Sequence, residues 1–168
     1  MITQTELKHA LDYNPGTGQF TWKNPTSTRV KVGQIAGTFH AHRYARIRIN
    51  SIQYLTHRLV WLYVHGESPA SGLDIDHINN DRLDNRIANL RLATRQENLR
   101  NARMHKGHTN GYKGITYWAA KNLWKAQSQF NGKHVNIGCF KNREDAADAY
   151  ITFAKLHFGE FYNPGNLA

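Results

Sequence analysis

Apolar positions along this chain recur with two different periods, and the switches between them mark out its segments. Thr3 followed by Glu6 has the spacing of a capping box, and Leu7, Ala10 and Leu11 form a short apolar stripe. Together they predict a first helix over about residues 4–12, ended by Asn14-Pro15-Gly16. Phe20 and Trp22 alternate with polar neighbours, as do Tyr44, Ile47 and Ile49 less strictly, so a small meander of short strands should follow. The run THRLVWLYVH, residues 56–65, reads as a helix through Leu59, Leu62 and Tyr63 and the stop at Gly66. Residues 73–102 open with a short strand, cross a polar loop rich in Asn and Asp, and return through Leu90 and Leu92. Thr94 and Glu97 then repeat the capping-box spacing, so the order is strand, loop, strand, helix, the helix running to about Arg103.

Residues 105–111, HKGHTNG, look like a linker. After it, three runs at 113–118, 123–130 and 133–140 are divided by Lys121-Asn122 and Asn131-Gly132, and Asn-Gly predicts a hairpin because both residues tolerate positive φ. Asn142 should cap a last helix with Glu144 and Asp145 in its first turn and Gly159 at its end. Ala146, Ala147, Tyr150, Phe153, Ala154 and His157 would share its inner face. Alternation directs Trp124, Ala126, Ser128, Phe130, Val135 and Ile137 toward that helix. Thr116, Trp118, Lys125, Gln127, Gln129, His134 and Asn136 fall on the opposite, open face.

Charge changes this picture from a fold into a binding problem. The 168 residues hold 22 Lys plus Arg against 12 Asp plus Glu, a formal charge of +10. Residues 95–143 alone carry ten Lys or Arg against the single acid Glu97, interleaved with Tyr112, Tyr117, Trp118, Trp124 and Phe130. Such a stretch suits a polyphosphate, since cations displace condensed counterions while rings stack. On the open face, Gln and Asn can pair with adenine edges and Lys with guanine or phosphate, and a β-ribbon fits the major groove. Lys113, Lys121, Lys133, Arg95 and Arg103 are further candidate DNA contacts. No apolar run approaches a membrane span, and the start MITQTELKHA lacks the pattern of a signal peptide. The lone Cys139 can form neither an internal disulfide nor a multi-cysteine zinc cage, so a reducing cytoplasm is the expected setting.

The chemistry lies in residues 73–102. Hydrolysis of a phosphodiester needs a base for water, hard oxygen ligands for Mg²⁺ or Mn²⁺, and a group that orients the base. Asp76 and Asn98 offer the oxygens, His77 the base and Asn89 the brace of the hairpin. In a regular strand Asp76 and His77 point to opposite faces, so both reach one site only if the strand ends or twists there, and Asn79-Asn80-Asp81 suits such an ending. His57, beside Arg58, suits a structural or phosphate-contacting role.

Asp76-His77, Asn89 twelve residues after the histidine and Asn98 nine further on resemble the HNH endonuclease motif, in the phage and homing variant whose last histidine is asparagine. The resemblance runs through DHINNDRLDNRIANLRLATRQENLRN and includes the Asp84-Asn85 pair. It implies an α+β protein around a ββα-metal finger, with His77 as general base, Asp76 and Asn98 as ligands of one divalent metal, and Asn89 ordering the hairpin and base. Residues 111–166 are similar to the plant Apetala/ethylene-response-factor DNA-binding domain, which implies a three-stranded antiparallel sheet packed on one helix. The expected organisation is an N-terminal helix and β-rich segment (1–55), an HNH domain (56–104), a linker (105–111) and a DNA-binding domain (112–168). The expected activity is cleavage of double-stranded DNA to 5′-phosphate and 3′-hydroxyl ends by a monomer without an obligate protein partner. A non-catalytic DNA-binding regulator and an RNA-directed protein are the competing readings.

Overall fold

Thr3 starts the first helix as its spacing demands: its hydroxyl accepts from the Glu6 N–H at 3.2 Å, and the Glu6 carboxylate accepts from the Thr3 N–H at 2.8 Å. The computed structural model describes residues 2–25, 27–39, 44–104 and 110–164, so most of the expected linker lies outside the described residues. Helix α1 (Gln4–Ala10) ends short of the expected position, because Leu11 turns extended at φ −131° and opens strand β1 (Leu11–Asn14). Leu11 is fully buried, so the same apolar residue satisfies a helix stripe or a strand, and the pairing of Leu11 with Trp22 decides for the strand. The partner, β2 (Gln19–Trp22), is followed by a second antiparallel pair, β3 (Arg46–Ile49) and β4 (Ile52–Leu55). Helix α2 (Thr56–His65) runs as expected and closes on Gly66 at φ 82°.

Strand β5 (Leu73–His77) pairs antiparallel with β6 (Leu90–Thr94), placing Asp76 opposite Arg91 and His77 opposite Leu90. The chain divides into two compact units, Met1–Arg95 and Gln96–Ala168. In the first, Leu7, Leu11, Phe20, Ile47, Leu59, Val60, Ile75 and Leu90 form one hydrophobic cluster. Burying each such side chain contributes about 1.5–3 kcal/mol, so the N-terminal segment shares its core with the strands that carry Asp76 and His77.

The second unit begins one residue into α3 (Arg95–Asn101), ahead of the expected linker. Arg100 of α3 packs within this unit: its guanidinium lies 4.4 Å from the Phe158 ring centroid and 5.5 Å from that of Phe130. Strands β7 (Ile115–Trp118), β8 (Leu123–Phe130) and β9 (Lys133–Phe140) form an antiparallel sheet in that order, and α4 (Arg143–Phe158) packs on it. The β8–β9 turn uses Asn131 at φ 49° and Gly132 at φ 73°, as Asn-Gly predicts. Gly114, at φ +70°, lies so close to Tyr150 that an added Cβ would fall 2.0 Å from its ring. Pairing passes from Ala126–Gly138 to Gln127–Asn136, so Ile137 is a bulge residue, and it packs with Ile115, Ala126, Ala146 and Ala147. Cross-strand neighbours on the open face include Thr116–Lys125, Lys125–Cys139 and Gln129–His134, with Cys139 exposed.

Candidate active site

Strand β5 ends at His77, a residue only 4 % exposed. The side chain of Asn85, 1 % exposed, approaches it: Asn85 Oδ1 lies 3.2 Å from His77 Nε2. The His57 ring of α2 meets the His77 ring edge-on at 5.3 Å, and Tyr44 lies 5.0 Å from the first and 5.9 Å from the second. Burial pushes the His77 imidazole below its ordinary value, opposed by the Asn85 hydrogen bond and by the charges of Asp76, Asp81 and Asp84. Burial, with His77 and Arg58 nearby, pushes His57 down to about 3. Both rings are therefore neutral at pH 7, as a base awaiting a proton must be.

The loop from Ile78 to Asn89 is fastened by its own side chains. Asn89 Oδ1 accepts from the Asn79 N–H at 3.1 Å, and its Nδ2 donates to Asn79 Oδ1 at 3.0 Å and to the Asp84 carbonyl at 2.8 Å. The Asn89 carbonyl accepts from the Ile78 N–H at 2.9 Å. Asp84 takes a bidentate grip from Arg86, at 2.8 and 2.6 Å, which holds its carboxyl down at about 2. Asn and Asp favour such loops because their short side chains cap backbone groups two or three residues away. Asn89 thus braces the loop, while the side chain on the imidazole belongs to Asn85, to which the motif reading gave no role.

Asp76 faces away from His77 along the strand, and Arg91 across the pair holds its Oδ2, with Nε at 3.0 Å. A carboxylate offers about four acceptor positions, so one guanidinium orients it without saturating it. Asn98 lies on α3, in the second unit. A carboxylate oxygen and an amide oxygen are each hard donors of the kind that Mg²⁺ and Mn²⁺ take.

In the second unit Thr116, Trp118, Gln129, Lys133, His134 and Asn136 are exposed, and Lys125 and Gln127 are half-buried beside them. Lys121 sits over the Trp118 ring at 4.5 Å. Arg95 and Arg103 are exposed at the two ends of the α3 region. Lys113 departs from its expected role as a DNA contact. Its Nζ turns inward and donates to the carbonyls of Arg100, Ala102 and Asn163, and burial lowers it to about 8. The carbonyls at the end of a short helix need donors, and a lysine eleven to thirteen residues downstream supplies them.

The HNH endonuclease family model matches residues 54–100, the stretch that holds α2, β5, the braced loop, β6 and most of α3. Protein 3.8 of Escherichia phage T7 is 34 % identical over 105 residues, which are 62 % of this chain and 85 % of that protein. An uncharacterised HNH endonuclease of Acanthamoeba polyphaga mimivirus is 35 % identical over 112 residues, 66 % of this chain and 57 % of its own length. No solved structure matches. The chain belongs to the HNH endonuclease family.

Proposed function

We propose that this protein is a divalent-metal-dependent DNA endonuclease of the phage type that cuts phosphodiester bonds in duplex DNA, leaving 5′-phosphate and 3′-hydroxyl ends. The observation that carries the reading is the buried, neutral His77, held at Nε2 by Asn85 and next in sequence to Asp76. His77 removes a proton from water, and the oxygen attacks phosphorus in line with the leaving 3′ oxygen. Arg91 keeps the Asp76 carboxylate in one orientation. Asp76 and Asn98 are the residues that would hold the metal, which when bound supplies charge neutralisation on the phosphate and the leaving oxygen. Asn89 keeps the loop, and with it His77, in place. The open sheet face, through Thr116, Trp118, Lys125, Gln127, Gln129, His134 and Asn136, with Lys121, Lys133, Arg95 and Arg103 nearby in sequence, supplies the DNA contacts. One finger in a monomer gives one nick per encounter. Supercoiled plasmid incubated with Mg²⁺ or Mn²⁺ should become nicked, and the product should vanish with EDTA and in His77→Ala. Tight duplex binding without any cleavage would instead favour a DNA-binding regulator.

A further inference from the structure

The N-terminal hairpin lies against the loop that carries the base, and two contacts fasten it there. The Tyr13 hydroxyl, on β1, donates to the Asn85 carbonyl at 3.0 Å and accepts from the Ile87 N–H at 2.9 Å, so one oxygen brackets two backbone groups of the loop. At the turn of the same hairpin, Gly18 (φ +73°) is pressed onto the next peptide: an added Cβ would stand 2.4 Å from the Arg86 nitrogen and 2.5 Å from the Asn85 carbonyl carbon. The Tyr13 ring is itself wedged between Phe20, at 5.1 Å, and Tyr63, at 5.7 Å. These contacts hold the backbone immediately after the Asn85 side chain, from the Asn85 carbonyl to the Ile87 N–H.

Its orientation has a chemical consequence. Asn85 Nδ2 donates to the Leu83 carbonyl at 3.0 Å, so the amide oxygen is the atom turned to His77 Nε2. Reversing the amide would set its oxygen against the Leu83 oxygen and lose that bond. An amide oxygen only accepts, so Nε2 must carry the hydrogen and the lone pair of the neutral ring stands on Nδ1. Among the described residues, the groups around the ring include His57, Tyr44, Asp76, Asp81 and Asp84.

We infer that Tyr13 is a positioning residue for the nuclease reaction: its hydroxyl holds Asn85 so that Asn85 fixes His77 in the Nε2–H tautomer and reserves Nδ1 for the water proton. This rests on the proposed reading of His77 as base. The N-terminal segment is on this account a working part of the nuclease site.

Long-range ¹H–¹⁵N spectra of the full chain, without metal or DNA, report which imidazole nitrogen of His77 bears the proton. The wild type should show hydrogen on Nε2 alone. Tyr13→Phe, which keeps the ring packing, should give a mixture of tautomers and lower kcat about tenfold with KM for DNA unchanged, the size seen when an orienting partner outside the reacting groups is removed. Asn85→Leu should do the same, and adding Tyr13→Phe to it should cost nothing more. Asn85→Asp, which retains an acceptor oxygen, should restore the Nε2–H form. A wild-type spectrum and kcat in Tyr13→Phe, or full additivity of the two substitutions, would overturn the inference. Cleavage surviving in His77→Ala would remove the base assignment alone, since the spectra read the tautomer without reference to activity.

Discussion

The loop from Ile78 to Asn89 and the open sheet face of the second unit draw on the same side chains, amides and charged groups, and use them in opposite ways. In the loop Asn79, Asp84, Asn85 and Asn89 bond to one another, to backbone and to His77. On the sheet Gln129, His134 and Asn136 project into solvent. Paired amides hold a geometry, whereas exposed amides await a partner. Residue type alone does not tell the two apart, because burial and the choice of partner set the role.

That contrast can be broken at several points. His77→Ala should lower kcat by about 10²-fold or more while leaving duplex affinity nearly intact, read from plasmid nicking and a binding isotherm. Unchanged cleavage would end the assignment. Asn89→Ala removes three side-chain hydrogen bonds within the loop and should cost about 3 kcal/mol, measured by urea unfolding of the intact chain. The two lysines sharpen the comparison. Lys113→Ala takes a donor from three carbonyls and should destabilise the protein by about 1–3 kcal/mol, with the salt dependence of DNA binding unaltered.

His57 provides a test by pH. Its folded value, about 3, lies below the ordinary 6.5, so between these limits the unfolded chain takes up a proton that the folded one refuses. This contribution is therefore complete above about pH 6.5 and is lost as pH falls toward 3, at about 1.4 kcal/mol per unit. His57→Phe should flatten that acid slope in denaturation curves, and an identical slope would show that another group sets it. The smallest effect is expected at Lys125→Ala, which should reduce the salt slope of binding by about 1 and leave the melting temperature where it was.

Much of this arrangement was legible in the sequence wherever local chemistry decides the outcome. The Thr3–Glu6 box, the stop at Gly66 and the Asn131-Gly132 turn are set by a few neighbouring residues, and each appears where expected. Local spacing also placed Asp76, His77 and Asn89 on strand, strand end and loop return. What escaped were consequences of contacts between distant segments. The Tyr13 hydroxyl meets a loop 72 residues away, and no local pattern announces it. Leu11 fits either period, so only its pairing with Trp22 shows that the helix ends before it. Lys113 was read from charge, but the helix end at Arg100 to Ala102 turns it inward. Asn85 offered a signal, eight residues after the histidine in an otherwise loop-forming pair, but its bond to the imidazole needs the folded turn.

The pairing of Lys125 with Cys139 has a practical consequence. The chain contains one cysteine, and it stands exposed on the sheet face, cross-strand from a lysine proposed to touch DNA. A maleimide fluorophore or a disulfide-tethered oligonucleotide can therefore be attached to the unaltered protein at one known address. Quenching or cross-linking at that address reports whether the duplex lies along this sheet, independently of whether any strand is cut.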